Sequence, residues 1–176
     1  MQDFKETQKA LNKFAKNVIK GAKKNLLSQK INASGNLSKS LSYDLEVYPN
    51  SFFLKFLMED YGVFVDEGVQ GADSSKSKNR SSKYKFSGRF KMIPPSSIDK
   101  WVVKRGISGI RDEKGRFINR QSLKYAIATS IYQKGIKASM FFTKPFEAAF
   151  KNFSNEFIEA YGLDIQDFLE YTIKDN

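Results

Sequence analysis

The residue types that perform most hydrolytic and metal chemistry are missing from this chain. Its 176 residues include no histidine and no cysteine. Common zinc sites and Cys–His or Ser–His nucleophile pairs are therefore excluded, and no disulfide or thiolate is available. What remains is carboxylate. Glu59, Asp60, Asp66 and Glu67 lie close together in the sequence, and magnesium-dependent nucleases use clustered Asp and Glu. Such a site needs side chains converging from several elements, often with a lysine near the scissile phosphate. The chain lacks the Asp…Glu-x-Lys spacing of that class on paired strands. The group therefore reads as acidic surface, and Asp60, Asp66 and Glu67 become candidate subunit-interface residues. Gly106, Gly109 and Gly115 form no phosphate-cradling pattern. No catalytic, cofactor-binding or metal-ligating residue is expected, and the chain reads as a non-enzyme without a cofactor.

A second constellation has binding chemistry. GADSSKSKNRSSKYKFSGRFKM, residues 71–92, is rich in Ser, Lys and Arg and has no helical period. Lys76, Lys78, Arg80, Lys83, Lys85, Arg89 and Lys91 can meet phosphates, and Tyr84, Phe86 and Phe90 can stack on bases. The same residues could instead dock on an acidic neighbouring protein. Both readings stand, because a segment of this composition folds readily on binding. It is also longer than an ordinary connection. The expectation is disorder in the free chain and order on assembly.

The whole composition fits a binding role. The formal net charge is +11, a balance that points to a polyanion or an acidic protein surface. The charge is segregated. Residues 1–40 carry nine Lys against Asp3 and Glu6, and residues 41–68 carry six carboxylates against Lys55 alone. Residues 69–144 are strongly basic, and residues 145–176 set seven carboxylates against Lys151 and Lys174. Unlike surfaces on one chain suit a subunit that meets its own neighbours. A hydrophobic fraction of 40%, with sixteen Phe and eight Tyr, can build a core for one domain spanning 1–176. MQDFKETQKALNKF has no signal-peptide pattern, and no stretch approaches the roughly 20 apolar residues of a membrane span. A soluble product of a cytoplasm is expected.

The elements that must position these groups follow from periodicity. Residues 3–29 have apolar positions at Phe4, Leu11, Phe14, Ala15, Val18, Ile19, Ala22 and Leu26, which predicts one long amphipathic helix with a lysine face. Asp3 and Glu6 can cap its start, and Gly21 should weaken it slightly. Asn36 can cap a short turn. Residues 42–48 and 51–58 predict an antiparallel hairpin around Pro49-Asn50-Ser51, its second strand the more buried. A short helix or turn covers Glu59–Glu67. Pro94-Pro95 opens a helix with Ser97 as cap and Ile98, Trp101 and Val102 on its apolar face, Trp101 buried. Residues 107–118 predict a small hairpin, and residues 120–134 a helix ended by Gly135. Pro145 should hold Lys144 outside a helix. Two last helices are expected, Pro145 to Ala160 and Asp164 to Ile173, broken at Tyr161-Gly162.

Several of these segments, taken in order, resemble the neck or tail-completion proteins of tailed double-stranded DNA bacteriophages. SGNLSKSL (Ser34–Leu41) follows a lysine-rich helix. YGVFVDEG (Tyr61–Gly68) is similar to the family's aromatic-x-x-aromatic-Val-x-x-Gly segment. IPPSSIDKWVVKRGI (Ile93–Ile107) resembles its Pro-x-x-x-Ile-x-x-Trp helix ending in Gly-Ile. AIATSIYQKGIKASMFF (Ala126–Phe142) resembles the segment that ends in Gly-Ile and is followed by the closing element, with Met140-Phe141-Phe142 where the family usually carries Arg-Pro-Phe. The matches cover roughly residues 34–150. The resemblance implies an α+β subunit, with a small antiparallel sheet packed by the first helix and the C-terminal helices and a long basic loop. It implies a structural virion protein without catalysis, assembled in the host cytoplasm. That protein would form a homo-oligomeric ring, sixfold or twelvefold, at the head–tail junction. Its partners would be the portal-side connector and tail proteins around the DNA channel. The alternative from composition is a basic nucleic-acid-binding protein.

Overall fold

The computed structural model describes residues 4–31, 34–48, 51–86, 92–107, 111 and 113–174. The architecture is α+β, with long first and last helices and two small two-stranded antiparallel sheets. The chain divides into two compact units. One comprises 1–28, 38–59 and 141–176, the other 29–37 and 60–140.

The first unit is built on α1 (Lys5–Ser28) and α6 (Thr143–Lys174). The predicted stripe of α1 is the buried one, with Leu11, Phe14, Ala15, Val18, Ala22 and Leu26 all in the core. From α6 a ladder of rings answers it, Phe146, Phe150, Phe153, Phe157 and Tyr161. Phe14 lies 4.4 Å from Phe153 and 5.6 Å from Phe146 between ring centroids. Between these helices Gly21 does more than weaken α1. A Cβ there would lie 2.8 Å from the Pro145 Cβ, so the glycine admits the other helix.

After the short helix α2 (Asn36–Ser40), β1 (Ser42–Tyr48) and β2 (Ser51–Leu57) form the expected hairpin, with Ser42 opposite Leu57 and Tyr48 opposite Ser51. Phe52 and Phe56 face the helices, 5.8 Å from Phe4 and 6.2 Å from Phe14. The second strand is not the more buried one expected, since both strands alternate exposed and half-buried positions. Phe53 and Leu57 point to the other face and remain half exposed, because an isolated hairpin has only one covered face.

α6 corrects two expectations. It is one helix where two were predicted, and Thr143 and Lys144 belong to it. Pro145 falls in the first turn, where the missing N–H has no intrahelical partner to lose. Gly162 is absorbed because Tyr161 before it is held in the ring ladder and Asp164 after it is hydrogen-bonded to the first turn of α1.

The second unit holds α3 (Gly62–Glu67), β3 (Val69–Gln70), α4 (Pro95–Lys104), α5 (Arg120–Lys134) and β4 (Gly135–Ile136). Ile98 and Val102 of α4 pack on Leu123 and Ala128 of α5, with Ile107, Ile118 and Ile127 around them. Trp101 is not in this core. It is 38% exposed, and the Arg105 guanidinium lies 5.7 Å from its ring centre. One turn position separates it from the buried pair, enough to rotate it to the rim. Pro94, not Ser97, is the cap of α4, and Asn119 caps α5 by accepting from the Gln121 and Ser122 amides at 2.7 and 3.1 Å. The small predicted hairpin survives as an antiparallel bridge between Arg111 and Phe117.

Candidate interaction surface

The candidate residues cluster around β3. This strand pairs antiparallel with β4, Val69 opposite Ile136 and Gln70 opposite Gly135. The basic segment adds a third layer. The Gln70 amide donates to the Tyr84 carbonyl at 2.7 Å, and the Phe86 amide donates to the Gln70 carbonyl at 3.0 Å. Residues 71–86 are therefore folded onto their own unit in the single chain, contrary to the expectation that order awaits a partner. The amides of Ala72, Asp73 and Lys78 donate to the carbonyls of Tyr132, Gln133 and Lys134. Buried Asn79 donates to the Glu67 carbonyl at 2.7 Å, and buried Ser82 to the Gly68 carbonyl at 2.8 Å. A composition count of Lys and Arg hides these two anchors, since their value lies in short polar side chains satisfying backbone groups.

Glycine makes the close approach possible. A Cβ on Gly71 would sit 1.9 Å from the Gln133 carbonyl oxygen, and one on Gly135, with φ at 76°, would sit 2.2 Å from the Val69 oxygen. Gly68, at φ 72°, has Ile136 O 2.5 Å from the same position. Only glycine fits three such positions in one small sheet.

Five of the seven candidate cations are described, and all five are exposed: Lys76, Lys78, Arg80, Lys83 and Lys85. Arg89 and Lys91 lie outside the described residues, as does Phe90. Two of the five are neutralised locally. Lys76 pairs with Asp73 at 3.0 Å and Lys83 with Glu67 at 3.0 Å. The Asp73 carboxyl is held down at about 2, first by the Ser75 hydroxyl and then by Lys76. The Lys83 ammonium is raised by its hydrogen bond to Glu67. Lys78, Arg80 and Lys85 have no ion pair among the described residues and are the unpaired positive charge of this segment.

The acidic candidates do not converge. Asp60 is exposed, and Glu67 is taken up by Lys83. Asp66 corrects the expectation of an interface side chain, because it is only 5% exposed in the single chain. Its backbone carbonyl accepts from the Ser139 and Met140 amides at 3.1 and 3.0 Å, which draws the end of α3 inward. No group of three or more carboxylates able to hold a metal ion occurs among the described residues. None of their helices is long and apolar enough to cross a membrane.

Residues that the sequence did not single out surround α4 and α5. Arg111 lies 4.0 Å above the exposed Phe117 ring. Asp99 receives Arg120 at 2.8 Å and Lys124 at 3.4 Å, and Arg120 holds its carboxyl below the ordinary range. Comparison with family models, curated proteins and solved structures finds no match for this chain.

Proposed function

We propose that the chain is a structural subunit of a tailed-phage neck. In this reading copies of it close into a ring at the head–tail junction, between the portal-side connector and the tail, and surround the DNA. The observation that carries the reading is where the resembling segments fall. Tyr61–Gly68 leads directly into β3, and Ala126–Phe142 contains β4, so two segments far apart in sequence meet in one sheet. Their glycines are the positions at which a side chain would collide with the opposite strand. The third resembling segment supplies Ile98 and Val102 to the core beside them. Segments that resemble the family in order and that also meet in one sheet and core fit a single architecture better than chance spacing does. The absence of histidine and cysteine from the sequence agrees with an assembly role.

The test is the mass and symmetry of the protein, purified alone and within particles. The expected outcome is a closed ring with a central opening, found at the neck of the virion. A protein absent from purified particles overturns the reading.

The second reading, a nucleic-acid binder, rests on exposed Lys78, Arg80 and Lys85 and the net charge of +11. Changing all three to Gln should then weaken DNA binding and flatten its dependence on salt. If these residues dock on a neighbouring subunit instead, the same change spares DNA binding and lowers the yield of ring.

A further inference from the structure

The side of α1 that faces away from the core carries almost nothing but lysine. At 3.6 residues per turn, Lys5, Lys9, Lys13, Lys16, Lys20, Lys23 and Lys24 fall within an arc of about 100°, opposite the buried stripe. Between residues 5 and 24 the only other residue on that arc is Glu6, at its edge. Lys23 is half-buried and the other six are exposed. Glu6 is taken up by Lys9 at 2.5 Å, and Lys13 reaches Glu156 at 2.9 Å. Lys5, Lys16, Lys20, Lys23 and Lys24 have no ion pair among the described residues. Beside the stripe, Lys9, Asn12, Lys13, Lys16 and Asn17 line a shallow polar groove of about 590 Å³.

This arrangement works against the helix that bears it. Lys5 and Lys9, Lys9 and Lys13, Lys16 and Lys20, and Lys20 and Lys24 are like charges four residues apart, and each such pair weakens a helix. A face that needed only to be wetted would alternate its signs and gain from them. A partner that brings closely spaced negative charge removes the repulsion.

We propose that this face of α1 binds the phosphate backbone of a nucleic-acid duplex. Neither reading above uses the face, and a single chain carries the whole of it, so the contact does not depend on the ring. From Lys5 to Lys24 the stripe runs about 28 Å, the length of about eight base pairs at 3.4 Å each. Other anionic partners fit less well. A membrane-surface helix must insert a free apolar face, and that of α1 is already spent in the core. A single strand is held by stacking on aromatic rings, and none lies on the lysine arc. The acidic face of a second copy would need apolar or aromatic anchors, since lysine is depleted from the cores of protein interfaces. With no arginine on α1, the bidentate fork that most often reads guanine is missing, so the contact is to backbone and carries no sequence preference.

The test compares two full-length variants with an equal loss of charge. One is Lys16→Gln, Lys20→Gln and Lys24→Gln on α1, the other Lys78→Gln, Arg80→Gln and Lys85→Gln in the basic segment. Glutamine is as good a helix former as lysine, and a melt of each variant checks that it is folded. Binding to a DNA duplex of about 20 base pairs and mixed sequence is measured between about 50 and 200 mM salt. The α1 variant should bind at least about tenfold more weakly at the low-salt end, with a log–log salt slope flatter by about two to three. The other variant should stay within a few-fold of the parent. Equal losses from the two variants assign binding to net charge and overturn the proposal. So does a loss confined to the basic-segment variant, tighter binding to a single strand of the same length, or a parent protein that does not bind the duplex. Unchanged DNA binding with a lower oligomer mass in the α1 variant also overturns it, and gives the face to a second copy. Oligomer mass is read on the same samples. An α1 variant that forms rings but has lost the duplex supports the proposal, and a duplex-binding parent that forms no ring counts against the ring reading alone.

Discussion

At the scale of the residue, Asp164 ties the two ends of the first unit together. It joins two helices whose sequence positions lie at opposite ends of the chain, by supplying the N-terminal cap that α1 needs. Burial works against its charge. The Thr7 side chain and the Thr7 and Glu6 amides outweigh burial and bring its carboxyl below the ordinary value. The Thr7 hydroxyl itself is buried without a well-aligned partner, so it contributes through its nearby dipole and the amides supply the directed bonds. A carboxyl held low when folded stabilises the fold above its unfolded pKa of about 3.9, and that contribution is lost as pH falls through the lower folded value. Asp164→Ala should cost about 1–2 kcal/mol near neutral pH. Urea midpoints should converge for the two proteins as the solution is taken below about pH 4. A difference that persists undiminished there would assign the effect to packing. Trp101 teaches the opposite lesson. Being partly exposed under Arg105, its truncation should cost less than that of Leu123, for which about 2–5 kcal/mol is expected from a buried leucine. Melting both alanine variants checks the order.

At the scale of the element, two helical glycines of the same residue type have opposite meanings. Gly162 lies within α6, and a Cβ there would meet nothing within 4 Å. Gly162→Ala should stabilise the protein by about 0.5–1 kcal/mol, the ordinary helix gain. Gly21 lies within α1 at the approach of Pro145, and Gly21→Ala should destabilise despite the same gain. Thermal melts of the pair that move in the same direction would refute this account of the helix contact. The basic segment belongs to this scale too. Because residues 71–86 are tied to 132–134 and to β3 by backbone bonds, their lysines and arginines should resist trypsin in the free chain. Gly71→Ala should release that protection, since its new carbon collides with the Gln133 carbonyl. Cleavage within 76–85 at equal rates in the parent and the variant would show that these bonds do not hold the segment.

At the scale of the whole molecule, charge is arranged by surface. In the second unit, ion pairs consume part of the positive charge and leave Lys78, Arg80 and Lys85 free of carboxylate partners among the described residues. In the first unit, α1 presents lysines, and α6 presents carboxylates together with solvent-exposed Leu169 and Tyr171 near its end. In the proposed ring, opposed surfaces of this kind would draw copies together less strongly as salt rises. The sedimentation mass of the parent protein should accordingly fall between low and high ionic strength. An oligomer mass that is unchanged across that range would assign association to apolar contact alone, and a monomer mass throughout would count against the ring.

Much of the fold was legible because periodicity is local. The stripe of α1, the alternation of β1 and β2, the glycine stop at Gly135 and the α+β class all follow from side-chain spacing within single segments. So does the chemical boundary, since a chain without histidine and cysteine cannot perform the chemistry of either. The rest depended on distant partners. Gly162 reads as a break until Phe157 and Tyr161 are seen held in the ring ladder, and Pro145 reads as a stop until it falls in a first turn. Asp66 and Asp164 read as acidic surface, yet both are buried, one at the inner end of α3 and one at the cap of α1. Spacing along the chain reports which face a residue shares with its neighbours. Whether that face is covered, and by what, is decided by segments more than a hundred residues away, and only the tertiary structure brings them together.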